Sequence, residues 1–152
     1  MTTTTEENTT DGADYPAAVD EMVSGYLVCA LWAGLNWSDT TEHGGTENNP
    51  EPWDSSGYDV DDISSEAITA AREFCGEFYI ANADDLATYF PGSEPGQWGH
   101  DLYLNRNGHG AGFWDRYYGP DASIRSAGVR LSEAAKVYGE IDFDLDVDGS
   151  LN

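Results

Sequence analysis

Apolar residues recur at helical spacing through Val19, Met22, Val23, Tyr26, Leu27, Ala30 and Leu31. A stripe of this kind, held for three turns, is stable only when another element covers it. A second stripe runs through Ala67, Ala71, Phe74, Cys75, Phe78 and Tyr79 and on to Leu86, Tyr89 and Phe90. A third uses Ile124, Ala127, Leu131, Ala135 and Tyr138. Three one-sided helices in 152 residues predict one domain around one shared core. Punctuation agrees with the stripes. Pro16 suits the start of the first helix and Gly34 its end, while Ser64 is an N-cap for the second. Asn82 to Asp85 predicts a break in the second stripe, and Pro91-Gly92 its stop. Asp121 and Gly139 bracket the third helix. Gly128 falls on that helix's buried stripe, which is costly unless another backbone comes close.

The remaining segments alternate. His100 to Arg106 and Gly112 to Tyr117 flank an Asn-Gly turn, the strongest short-range hairpin signal. An even-length loop would place His100, Leu102, Leu104, Arg106, Phe113 and Asp115 on one face. Asp101, Tyr103, Asn105, Trp114 and Arg116 would occupy the other. IDFDLDVD, from Ile141 to Asp148, reads as a third strand with its aspartates in solvent. The order α-α-β-β-α-β predicts an α+β fold, three main helices packed on a small, mainly antiparallel three-stranded sheet. The domain spans 15–152. A Thr-rich acidic tail, 1–14, is expected to be disordered. A long acidic loop covers 36–62, with Trp37, Trp53 and Tyr58 arguing that part of it packs down.

Charge restricts the setting. Twenty-nine acids against six cations give a net charge of -23, and Lys136 is the only lysine. A disordered acidic block would concentrate these charges, and a nucleic-acid mimic would array them on one face. Instead they spread along the chain, the pattern expected of a protein screened by molar salt. The same charge opposes direct nucleic-acid binding. Cys29 and Cys75 read as buried, reduced thiols. The N-terminus lacks the features of a secretory signal, and no apolar run approaches membrane-spanning length. The expected location is a salt-rich cytoplasm.

Several side chains invite chemistry. His100, Asp101, His109 and Asp115, with His43, are nitrogen and oxygen donors of the type that holds a transition metal, though their spacing matches no metal motif. His109 with Asp101 or Asp115 could serve acid/base catalysis. The glycine-rich turn with Arg106 or Arg116 could hold a phosphate, but it does not precede a helix. Asp144, Asp146, Asp148 and Gly149 open like a calcium loop, and strand alternation accounts for the same aspartates. No cofactor is expected.

The run GHDLYLNRNGHGAGFWDR, Gly99 to Arg116, together with the helix LSEAAKVYG, resembles a family of small uncharacterised proteins of tailed phages, prophages and archaeal viruses. Gly99, His100, Asp101, Arg106 to Asp115 and Arg116 stand at the matching places, and the calcium-like ending is foreign to that family. The resemblance implies a virus-encoded accessory protein, here of a halophilic archaeon, and brings no catalytic residue. The resulting expectation is a non-enzymatic factor that binds a host or viral protein in host takeover or anti-defence. Its contact surface would be the hairpin face of Tyr103, Asn105, Trp114 and Arg116, with loop residue His109. A metal-dependent enzyme and an acidic nucleic-acid mimic are the alternatives.

Overall fold

The computed structural model describes residues 15–36, 51–89, 93–117, 119–146 and 148–152. The acidic tail, Trp37, His43, Phe90 and Pro91-Gly92 lie outside the described residues. Among the described residues five α-helices carry the fold. They are α1 (Ala17–Ala33), α2 (Ser65–Ala81), α3 (Ala83–Thr88), α4 (Pro95–Arg106) and α5 (Ala122–Lys136). The only regular strands among the described residues are β1 (Leu35–Asn36) and β2 (Glu51–Pro52), which pair antiparallel over two residues each. The fold is therefore helical, and the expected α+β sheet is absent from the described residues.

Three helices form on the expected stripes, with the caps at Ser64 and Asp121 in place. Pro16 stands just before α1, and α5 ends at Lys136, ahead of Gly139. Ser64 Oγ accepts the Ala67 N–H at 3.0 Å, Asp121 Oδ1 accepts the Ser123 N–H at 2.9 Å, and the second stripe breaks at Asn82. Unpaired N–H groups at a helix start are the groups such side chains satisfy. Val19, Met22, Cys29, Phe78, Ala127 and Leu131 are all fully buried in one core. Part of the acidic loop packs down: Trp53 is buried, with Tyr58 edge-on to its ring at 5.3 Å.

The principal correction concerns 95–116. Pro95 occupies the first turn of α4 after Glu94, and the helix runs through the whole of the expected first strand. Gly99, Asp101, Leu102, Tyr103, Leu104 and Asn105 are all buried. A helix buried on nearly every side shows no one-sided stripe, so its sequence passes for alternation. The Asn-Gly pair ends the helix instead of turning a hairpin. Gly108, at φ +67°, sits in the left-handed region. Its N–H reaches Asn105 O at 3.3 Å, and the His109 N–H reaches Leu104 O at 3.0 Å. These two bonds are the Schellman pattern of a helix C-terminus. Phe113–Asp115 then forms one 3-10 turn. A Cβ on Gly128 would meet the Phe113 carbonyl at 2.7 Å, so the costly glycine on α5 does admit a second backbone.

The last expected strand also fails. Between Asp144 and Asn152 the chain folds back on itself: Asp144 and Asn152 exchange N–H···O bonds at 3.1 and 2.8 Å, and Asp146 N–H bonds Ser150 O at 2.8 Å. Isolated bridges join Leu151 to Leu145 and to Ile63. Leu151 is fully buried while Ile141 is half exposed. With no hairpin to pair with, the segment anchors through Leu151 on the loop before α2.

The α1–α4 crossing brings two backbones into contact. A Cβ on Gly99 would overlap the Met22 carbonyl, and one on Gly25 would overlap the Gly96 carbonyl. Neither obstacle is a flexible side-chain end, so relief requires the helices to separate. Gly99→Ala is expected to destabilise the protein by about 2–3 kcal/mol, through overpacking. Chemical denaturation in molar KCl should show a lower midpoint at an unchanged slope.

Candidate functional site

The centre of the Gly99–Arg116 segment is the carboxylate of Asp101, fully buried on α4. Arg116 reaches Asp101 Oδ1 through Nε at 2.9 Å and Nη2 at 2.7 Å. Gln97 donates to the same oxygen at 3.0 Å, and the Tyr89 hydroxyl donates to Oδ2 at 2.8 Å. A buried charge needs this density of donors. The hydrogen bonds to Asp101 push the Arg116 pKa above its ordinary value, and burial does the same to the Tyr89 phenol.

The rest of the segment is tied in the same way. Asn105 Oδ1 accepts from the Phe113 N–H at 2.7 Å and from Ser132 Oγ at 3.1 Å. Asn107 bonds the Tyr103 carbonyl through Nδ2 and the Ile141 N–H through Oδ1. Asp115 Oδ1 takes the Gly112 N–H at 2.9 Å. Phe113 is buried and stacks on Phe78 at 5.9 Å. Tyr103 is buried against Tyr26, and its hydroxyl donates to Asp142 Oδ1 at 3.3 Å. Desolvation raises the Asp142 pKa above the usual carboxylate value.

This geometry redistributes the expected site residues. Tyr103 and Asn105 face the interior and cannot form the expected contact face, because α4 replaces the hairpin strand that would have presented them. Arg116 is directed at Asp101, with a third of its side chain exposed. His109 is exposed beside the Tyr103 ring, and Trp114 remains 49% exposed. The metal candidates among the described residues are not brought together. His100 packs against Trp32 and His109 against Tyr103, while Asp101 and Asp115 answer internal donors. Among the described residues no three His, Cys, Asp or Glu side chains form a metal-binding group. The calcium-like aspartates follow suit: Asp148 Oδ1 accepts from both Ser150 groups, which lowers its pKa.

Two surfaces stand out. The first surrounds Trp114. Val129, 46% exposed, lies beside it on α5, with shallow depressions on either side. Arg125 and Arg130 line one depression and Lys136 the other, so half of the chain's six cations gather here. Their clustering within 125–136 was a visible sequence signal that the alternation of 100–116 obscured. The second is a cleft of about 380 Å³ between α1, α2, α4 and the 141–143 stretch. Sequence spacing offered no sign of it, since its lining comes from five separate segments, Asn152 being the fifth.

A helical domain with a buried aspartate paired to a partly exposed arginine, an exposed Trp face and an apolar cleft is what the fold defines. The chain matches no family model, no curated protein and no solved structure. Among the described residues, no helix is long and apolar enough to cross a membrane.

Breaking this pair should be costly, because Asp101 is fully buried. Arg116→Met leaves the Asp101 charge with neutral donors only, and a loss of about 3 kcal/mol is expected. Asp101→Leu combined with Arg116→Met should recover part of it, a coupling that a double-mutant cycle in denaturant reads directly. His100 gives a second expectation. Its Nδ1 is buried without a hydrogen-bond partner among the described residues, and burial lowers its pKa from the ordinary 6.5. The unfolded chain therefore takes up a proton first as pH falls, so this contribution to stability is full above 6.5 and declines below it. Denaturation midpoints measured from about pH 7.5 to about pH 5.5 should fall less steeply for His100→Gln than for the parent chain.

Proposed function

We propose that the chain is a virus-encoded, non-enzymatic accessory protein that binds a host or viral protein in the salt-rich cytoplasm of a halophilic archaeon. The observation that carries this reading is the exposed Trp114–Val129 face and its company of cations. Within the Gly99–Arg116 segment Asp101, Asn105, Asn107, Phe113, Asp115 and Arg116 all hold the fold together. Trp114 is the large aromatic of that segment turned toward solvent. Trp and Arg are the side chains that most often dominate protein interfaces.

Charge points to the kind of partner. A chain at -23 repels acidic proteins over most of its surface. Arg125, Arg130 and Lys136, set against Glu133 in the same depression as Lys136, lower the repulsion that an acidic protein surface meets at the Trp114 face. Arg130 already pairs with Asp85 at 2.8 Å, so the net attraction is modest. Molar salt screens what remains, and the apolar Trp114 and Val129 supply most of the affinity. Carboxylates stand on the outer faces of α1, α2, α3 and α5, at Asp20, Glu73, Glu77, Asp84 and Glu133. This spread favours salt adaptation over mimicry of a nucleic acid. The fates of Asp101 and Asp115, both engaged internally, favour a binding role over metal-dependent catalysis.

The test is capture from host lysate in molar KCl, with Trp32 as the control because it is 56% exposed elsewhere on the molecule. A specific acidic protein should be retained by the parent chain and by Trp32→Ala, and lost with Trp114→Ala and Val129→Asp. His109→Ala should weaken retention if the adjoining turn belongs to the contact. Retention of every captured protein by both Trp114→Ala and Val129→Asp would remove the basis of the reading.

A further inference from the structure

The cleft between α1, α2 and α4 has the size of a small-molecule site, at about 380 Å³. On α2 its wall is Ala67, Ala70 and Ala71, so the space that larger side chains would take is left open. Phe74 and Leu27 continue the apolar surface. Its charged side chains are one cation, Arg106, and two carboxylates, Asp142 and Glu66, and Asn152 adds a polar group to the lining.

Arg106 is fixed without help from a carboxylate. Its Nε donates to Gly139 O at 2.9 Å, its Nη1 donates to the Tyr26 hydroxyl at 3.1 Å, and the guanidinium lies 4.1 Å from the Phe74 ring centre. Arg72, Arg116 and Arg130 each pair with an aspartate. Among the described residues Arg106 has no such partner, although acids outnumber cations 29 to 6. Nothing among the described residues accepts from its Nη2 edge. A guanidinium held by two hydrogen bonds and a ring is preorganised to receive a carboxylate on its free edge. A pure anion, however, would also face Asp142 and Glu66, and a pure cation would face Arg106. One ligand class satisfies all three groups.

We propose that this cleft binds a small zwitterion with an apolar body, of the chemical class of an apolar α-amino acid. Its carboxylate meets the Nη2 edge of Arg106, its ammonium group faces Asp142 and Glu66, and its side chain lies over Ala67, Ala70 and Ala71. The site stands apart from the Trp114 face and does not rest on the protein-binding reading.

Calorimetric titration of the full chain in molar KCl tests this with three probes, L-phenylalanine, 3-phenylpropanoate and phenethylamine. L-Phenylalanine is expected to bind with a Kd of about 1 mM or tighter, and each single-charge probe about tenfold more weakly or worse. Arg106→Gln should reduce L-phenylalanine to the level of phenethylamine while leaving phenethylamine unchanged. Because Arg106 also braces the fold, Ala70→Leu provides a second variant: residue 70 is exposed at the cleft wall, and filling it should abolish binding with the helical circular dichroism intact. Absence of L-phenylalanine binding up to about 10 mM would overturn the proposal. So would equal binding of all three probes, or binding unaffected by Ala70→Leu.

Discussion

The path of the chain from α4 to Arg116 depends on one carboxylate placed where water cannot reach it. Asp101 lies on the helix with the least solvent contact, and its charge is tolerable only with Arg116, Tyr89 and Gln97 turned toward it. That requirement fixes the chain that follows. To bring Arg116 back to Asp101, the backbone must leave α4, reverse through Gly108 and cross α5 at Gly128. The 3-10 turn so positioned buries Phe113, and its neighbour Trp114 is left outside. An exposed tryptophan is thus a consequence of how a buried aspartate is satisfied.

Helix α4 also links the two surfaces. Tyr103 and Arg106 line the cleft, while Asn105, between them in sequence, borders the depression beside Trp114 and bonds Ser132 on α5. One helix, buried on nearly all sides, therefore supplies side chains to both. A change in the path of α4 therefore reaches both surfaces, whereas Ala70, Trp114 and Val129 offer exposed positions at which each can be altered alone.

Legibility in the sequence followed the solvent boundary. α1, α2 and α5 each have a wet and a dry side, and their stripes and caps at Ser64 and Asp121 announced them. α4 has almost no wet side, so HDLYLNR displayed neither helical nor strand periodicity honestly, and its alternation was accidental. The Pro95 start signal was present, but Asn107-Gly108 served two grammars, hairpin turn and helix C-terminus, and only the path of the preceding residues chooses between them. IDFDLDVD lost its strand for a related reason, since a strand needs a neighbour and the hairpin that would have been one does not exist. The expected contact face fared likewise: Trp114 and His109 stand exposed, but the burial of Tyr103 and Asn105 and the turn of Arg116 toward Asp101 followed from the helix that periodicity concealed. The cleft joins residues 26 to 152 and left no local trace.

The two cysteines have a use that their burial confers. Cys29 on α1 and Cys75 on α2 are fully buried and free, and desolvation raises both thiols to about 12. Near neutral pH each is shielded from alkylating reagents by packing and by the scarcity of thiolate. Their modification rates then count how often α1 and α2 lift away from the core, separately and in the natural sequence. The molecule therefore carries two built-in gauges of local opening, readable by mass spectrometry at any salt concentration and without an engineered label.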